Sequence, residues 1–229
     1  MAVVETPGLR EFLRSYPKMS IRPSSGGDLR LKGSFEFNAH HAKEGSIQDS
    51  FALEIIVPSG FPKELPRVTE TGGRIPRTGE YHVNPTDNTL CLGSPLSLLF
   101  KLSQKPTLEG FAENCLVSYL FAISRKLNTG GPLPFGELAH GRKGIQDDYA
   151  ALFELRQPEN VGRVLALLGM KKRRANKHPC PCGCRHRLGV CRFNLRLRIF
   201  RTLASKSWFR KEYQFFDERS RSGEIGRMP

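Results

Sequence analysis

Phe61-Pro-Lys-Glu-Leu-Pro66, then Tyr81-His82-Val83-Asn84, then Thr89-Leu90-Cys91-Leu92-Gly93, follow one another in the middle of the 229-residue chain. Upstream, Leu29 to Asn38 (LRLKGSFEFN) and Asp49 to Val57 (DSFALEIIV) carry the alternation of half-buried strands. Pro58-Ser-Gly-Phe-Pro62 breaks the second, and Arg67 to Thr71 can form a third short strand. Strands joined by short links predict an antiparallel meander. Leu9 to Tyr16 has apolar residues at 9, 12 and 13, predicting a short helix that Pro17 ends. Gly72 to Pro106 is rich in Gly, Pro, Asn, Asp and Ser and reads as a long irregular region, a setting in which loops tend to be functional.

Downstream, Thr107 is a suitable N-cap for a helix running to Lys126. Phe111, Cys115, Val117, Tyr119, Leu120 and Ile123 supply its buried stripe, which makes Cys115 a core residue. Gly130-Gly131-Pro132 is a break, and two further helices are predicted over Gln146 to Leu155 and Val161 to Met170. The fold class expected is therefore α+β.

Charge divides the chain. The formal net charge is +14, and from Val161 onward there are 18 basic residues against 4 acidic ones. The residues up to Asn160 carry 18 of each. A neutral body, residues 1–160, and a basic C-terminal region, residues 161–229, suggest two units with different tasks. The richest apolar stretch, Leu116 to Ile123, is far shorter than the roughly 20 residues of a membrane span. Glu5, Arg10 and Glu11 interrupt any apolar N-terminal run, so no secretory signal is expected.

Cys91 and Cys115 stand apart, whereas Cys180, Cys182, Cys184 and Cys191 cluster inside the basic region. A disulfide framework spreads its cysteines to close long loops. Clustering of this kind instead points to a metal site in a reducing compartment, and the cytoplasm is the expected location.

The ordered segments around Cys91 resemble the ubiquitin-conjugating enzyme family. They match its aromatic-Pro turn after the strands, its Tyr/Phe-His-Pro-Asn tetrad and its apolar-Cys-Leu segment. The resemblance spans roughly Pro7 to Leu155 and is nearest to the divergent bacterial members found beside ubiquitin-like proteins and their activating enzymes. Four details differ from the family pattern. Val83 replaces Pro, Asn84 precedes Cys91 by 7 positions rather than one more, the prolines of the 61–66 turn are spaced one residue wider, and no Trp follows the cysteine.

The resemblance implies that Cys91 accepts a ubiquitin-like modifier as a thioester and passes it to a target amine. It implies that Asn84 stabilises the oxyanion or braces the loop, and that His82 is a structural brace rather than a base. A thiolate is nucleophilic near neutral pH without a strong base, which suits a cysteine in a polar loop. A lone cysteine is otherwise a small apolar core residue. Two alternatives stand beside the enzyme: a non-catalytic module that binds a ubiquitin-like protein, and a nucleic-acid-associated protein acting through its basic region. Bacterial relatives often sit in anti-phage operons.

Cys180-Pro-Cys182-Gly-Cys184-Arg-His186-Arg-Leu-Gly-Val-Cys191 resembles the SEC-C zinc motif. Cys180, Cys182 and Cys191 match its spacing. Arg192 stands where that motif places its fourth ligand, so Cys184, His186 or His178 completes the set, and a module over 178–192 results. Thiolate and imidazole ligands in fours make a closed structural zinc site, with a redox role as the alternative. Lys171-Lys-Arg-Arg174 before it, and Arg192, Arg196, Arg198 and Arg201 after it, are accompanied by Trp208, Phe209, Tyr213, Phe215 and Phe216. Basic residues interleaved with exposed aromatics suit nucleic acid, and an acidic protein patch fits the same charge.

Overall fold

Strict alternation in β2 (Leu29–His41) and β3 (Gly45–Val57) turns Leu31, Phe35, Phe37, Phe51, Leu53, Ile55 and Val57 to one face. The two strands pair antiparallel with Phe35 opposite Phe51, a register that puts both rings in the core. β1 (Met19–Arg22) and β4 (Arg67–Glu70) complete a four-stranded antiparallel sheet in the order β1-β2-β3-β4. The computed structural model describes residues 6–24, 26–133 and 141–224, and within the last stretch the side chains up to 214 together with that of Phe216. The chain divides into two units, Met1–Glu137 and Leu138–Pro229.

In the first unit, α1 (Leu9–Ser15) lays Phe12 on the sheet, and Tyr16 stacks on Phe35 with ring centroids 4.1 Å apart. Gly33 faces Met19, where a Cβ would sit 2.9 Å from the Met19 Cα and clash with the Lys18 carbonyl, so only glycine lets β1 approach. The helix expected after Thr107 is present: the Thr107 hydroxyl accepts from the Gly110 N–H at 3.0 Å. It runs as α3 (Leu108–Phe111), a π turn (Ala112–Leu116) and α4 (Val117–Thr129). Phe111, Cys115, Tyr119 and Ile123 are all buried at spacings of four, wider than the α-helical 3.6, and the π turn absorbs the difference. Val117 is only half-buried.

Two elements depart from the sequence expectation. β1 is too short to show alternation. The stretch 72–106, expected to be irregular, contains α2 (Pro95–Leu102), which begins with Pro at its first turn and buries Leu96, Leu98, Leu99 and Leu102.

The second unit is helical. α5 (Arg142–Phe153) and α6 (Val161–Leu168) are followed by the short α7 (Lys172–Ala175), then by α8 (Phe193–Leu203) and α9 (Lys206–Glu224). Its boundary precedes α5 rather than falling at 160, and packing explains why. Phe153 meets Phe200 of α8 edge-on at 4.7 Å, and the Tyr149 ring lies 5.9 Å from that of Phe216 in α9. Arg196 of α8 donates to the Leu152 carbonyl and pairs with Glu154 at 2.6 Å. Phe209 and Phe216, read from the sequence among exposed aromatics, are buried. Trp208 and Tyr213 are half-buried, and the Phe215 side chain lies outside the described residues.

Candidate functional site

After β4 the chain makes a 3-10 turn (Gly79–Tyr81) that His82 closes in the left-handed region, at φ 51°. A short two-stranded ladder then lies along the edge of β4. Val83 bridges Leu90, Thr69 of β4 bridges Thr89, and the Leu90 N–H donates to the Val68 carbonyl at 2.8 Å. The Cys91 N–H donates to the His82 carbonyl at 2.7 Å, and the Asn84 N–H to the Thr89 carbonyl at 2.9 Å. His82, Asn84 and Cys91 are thus brought onto one ladder. His82 braces the loop through its backbone, Asn84 is exposed, and Cys91 is an exposed thiol.

Apolar anchors lie beneath: Val83 and Leu90 are both buried, as is Phe61, whose peptide bond to Pro62 is cis. From α4, the Tyr119 hydroxyl donates to the Tyr81 carbonyl at 2.8 Å. The buried Lys126 donates to the Glu80 carbonyl and pairs with its carboxylate at 3.0 Å. Burial, with the charges of Cys91 and Glu70 nearby, pushes the Tyr119 hydroxyl above its ordinary range, so it stays a donor. Arg74 fixes the start of the loop to β3, donating to both oxygens of Asp49 while its guanidinium lies 4.6 Å from the centre of the Phe51 ring. Burial pushes the Asp49 carboxyl up, but hydrogen bonds from Arg74, Ser124 and the Ser50 N–H hold it below the usual range.

Asn84 itself is oriented by a relay. Its amide donates to the Thr89 hydroxyl at 2.7 Å, and that hydroxyl donates to Asp87 at 2.7 Å. The Asp87 carboxyl also accepts the Thr89 N–H, and these bonds lower its pKa. One amide hydrogen of Asn84 is therefore committed, which fixes the direction of the other. Sequence reading missed this relay, although an Asp two residues before Thr in a turn is a recognisable local pattern. Tyr119 and Lys126, 38 and 46 positions from their partners, carry no local signal. Cys115 is different in kind from Cys91: burial pushes its thiol up to about 11, leaving it protonated and inert.

In the second unit, Cys180, Cys182, Cys184 and Cys191 offer sulfurs that all lie within 4.8 Å of one another and could hold a metal ion. Neighbouring sulfurs are 3.2 Å (180–182), 3.7 Å (182–191) and 3.6 Å (184–191) apart. A tetrahedron with metal–sulfur bonds of about 2.3 Å has edges of about 3.8 Å, so the donor set fits such an ion. The turn that gathers them uses Gly183 (φ 85°) and Arg185 (φ 61°), with a Pro179–Arg187 bridge and the Cys180 N–H donating to the His186 carbonyl. The backbone N–H and ring of His186 hydrogen-bond Cys184 and, with its cysteine neighbours, lower its thiol to about 6. Cys184 thus completes the cluster, while neither His178 nor His186 belongs to it.

No family model matches the chain, and neither curated proteins nor solved structures give a match. What fold and geometry define is an α+β protein with an exposed cysteine on a sheet-edge ladder and a four-cysteine centre in a separate helical unit. Among the described residues no helix is long and apolar enough to cross a membrane.

Proposed function

We propose that the chain is a conjugating enzyme for a ubiquitin-like protein, working in the cytoplasm, with Cys91 as its acceptor. The observation that carries this reading is the exposed thiol of Cys91, a residue whose backbone N–H is hydrogen-bonded into the ladder that also holds Asn84. The order of parts supports it: an N-terminal helix, a four-stranded meander, the Phe61–Pro62 turn, the His82–Asn84 segment, the cysteine and a long following helix.

The Cys91 thiolate attacks the thioester carbonyl that joins the modifier to its activating enzyme. A new C–S bond forms, the old one breaks, and the departing thiolate of the activating enzyme takes up a proton. A target amine then attacks the same carbonyl, the C–N bond forms, Cys91 leaves as thiolate and the amine proton passes to solvent. The uncommitted amide hydrogen of Asn84 meets the developing oxyanion, the kind of contact worth about 10²–10³ in rate. Asp87 and Thr89 hold that amide in place. The four cysteines hold zinc, which stabilises the fold of the second unit.

The test is an incubation with a ubiquitin-like protein and activating enzyme encoded beside this chain, plus ATP, resolved on a non-reducing gel. A thiol-sensitive adduct that disappears in Cys91→Ala is the expected result. Absence of an adduct with folded wild-type protein overturns the reading.

A further inference from the structure

Singly exposed aliphatic side chains are ordinary, but a group of them rimmed by polar residues marks an interaction surface. Among the described residues four large hydrophobic side chains are exposed, and three of them lie close together in sequence: Val190 (61%), Leu195 (56%) and Ile199 (52%). Val190 belongs to the 3-10 turn that leads through Cys191 into α8, and Leu195 and Ile199 are one turn apart on that helix. Asn194, Leu197, Phe200 and Leu203 form the buried side of α8, so Leu195 and Ile199 mark its outward side. Arg192 and Arg198, both exposed, fall on the same arc.

The sequence around this face is uniformly basic. Between Val161 and Lys211 the chain has 15 basic residues and no Asp or Glu. Arg196 is already paired with Glu154. Neither Arg192 nor Arg198 has an ion-pair partner among the described residues.

We infer that the outer face of α8, with Val190, docks an acidic segment of a protein partner that carries aliphatic or aromatic side chains. An apolar centre flanked by arginine is the anatomy of a protein interface. Aliphatic side chains gain little against a phosphate backbone, and among the described residues of this region no aromatic side chain is fully exposed for stacking: Phe209 and Phe216 are buried, and Trp208 and Tyr213 are half-buried. A lipid surface calls for a broad apolar stripe, whereas α8 turns Leu197, Phe200 and Leu203 inward. A second copy of the chain would oppose like charges. The inference stands independently of the chemistry assigned to Cys91.

Random-peptide display against the full chain, with Leu195→Ser/Ile199→Ser as the counter-bait, tests it. Peptides enriched on the wild type are expected to interleave Asp and Glu with Leu, Ile or Phe. Their affinity, read by fluorescence anisotropy, is expected to fall at least about tenfold both in that variant and in Arg192→Glu/Arg198→Glu. Poly-glutamate is expected to respond to the charge variant alone. Circular dichroism and zinc content check that each variant is folded. If the serine variant is not, Leu195→Lys takes its place. Enriched peptides lacking acidic or apolar residues, or affinities unmoved by the aliphatic substitutions, overturn the inference. So does single-stranded DNA or a phosphatidylserine vesicle losing as much affinity as the peptides in the aliphatic variant.

Discussion

Residues 1–137 hold Cys91 on a ladder added to the edge of a long-range β-sheet, whereas residues 138–229 gather their four cysteines within a segment of 12 positions. The first unit brings distant residues together by pairing β2 with β3 and packing α4 beneath the loop, so its site is built on an apolar core. The second gathers four sulfurs that could hold a metal ion by a tight turn of the local chain. One exposed thiol thus sits on a ladder anchored by distant parts of the chain, and four thiols are gathered by neighbouring residues. Cysteine chemistry alone does not distinguish the two settings; burial and spacing do.

The largest expected effect breaks that comparison at the metal. With the zinc proposed for the four cysteines, chelation in the full chain, or Cys180→Ser with Cys182→Ser, should remove apparent binding free energy on the order of 10 kcal/mol. Hydrogen exchange in 178–203 is expected to rise steeply while that of β2 and β3 stays unchanged. Unaltered protection of α8 without metal would show that the second unit folds by its core alone. Next, Phe35→Ala removes a fully buried ring from the first unit and should cost about 3–5 kcal/mol in denaturant unfolding while leaving zinc content unchanged.

Asn84→Ala should slow discharge from Cys91 to an amine about 10²-fold, with thioester formation nearly unaffected, as read by single-turnover gels. Iodoacetamide at neutral pH should label Cys91 and leave Cys115 untouched until the protein is unfolded. With its thiol raised to about 11, Cys115 keeps a thiolate fraction on the order of one in ten thousand. Equal labelling of both would erase the distinction between the exposed and the buried cysteine. The smallest effect is that of Asp87→Ala, expected to lower discharge and the protection of the Thr89 amide a few-fold. Because the folded state depresses the Asp87 pKa, its contribution persists above the ordinary carboxylate range and is lost as pH falls through the lowered value.

Much of the first unit is legible locally. Alternation marks β2 and β3, and Thr107 announces its helix, because those signals reside in neighbouring residues. α2 was masked by the Gly-, Pro- and Ser-rich stretch that precedes it, although Pro95 and its leucines carried a helix signal. Charge and packing divide the chain at different places. α5 carries Arg142 and Lys143 against Asp147 and Asp148, so its neutrality groups it with the first unit, whereas Tyr149 and Phe153 pack with the second. Around the candidate site, His82, Asn84 and Cys91 stand within ten positions and can be seen together. Tyr119 and Lys126 cannot, because only tertiary packing brings them to the loop.

The ladder beside β4 also has a consequence for solubility. A sheet edge presents free N–H and C=O groups to any passing strand. β1 limits the hazard by being four residues long, and β4 meets it with the Val68–Leu90 hydrogen bond and the Thr69–Thr89 bridge. The segment that carries the exposed Cys91 therefore doubles as a guard against edge-to-edge association. Substitutions that loosen Val83 or Leu90 are expected to surface first as material lost to aggregates, before any change in the labelling of Cys91 can be measured.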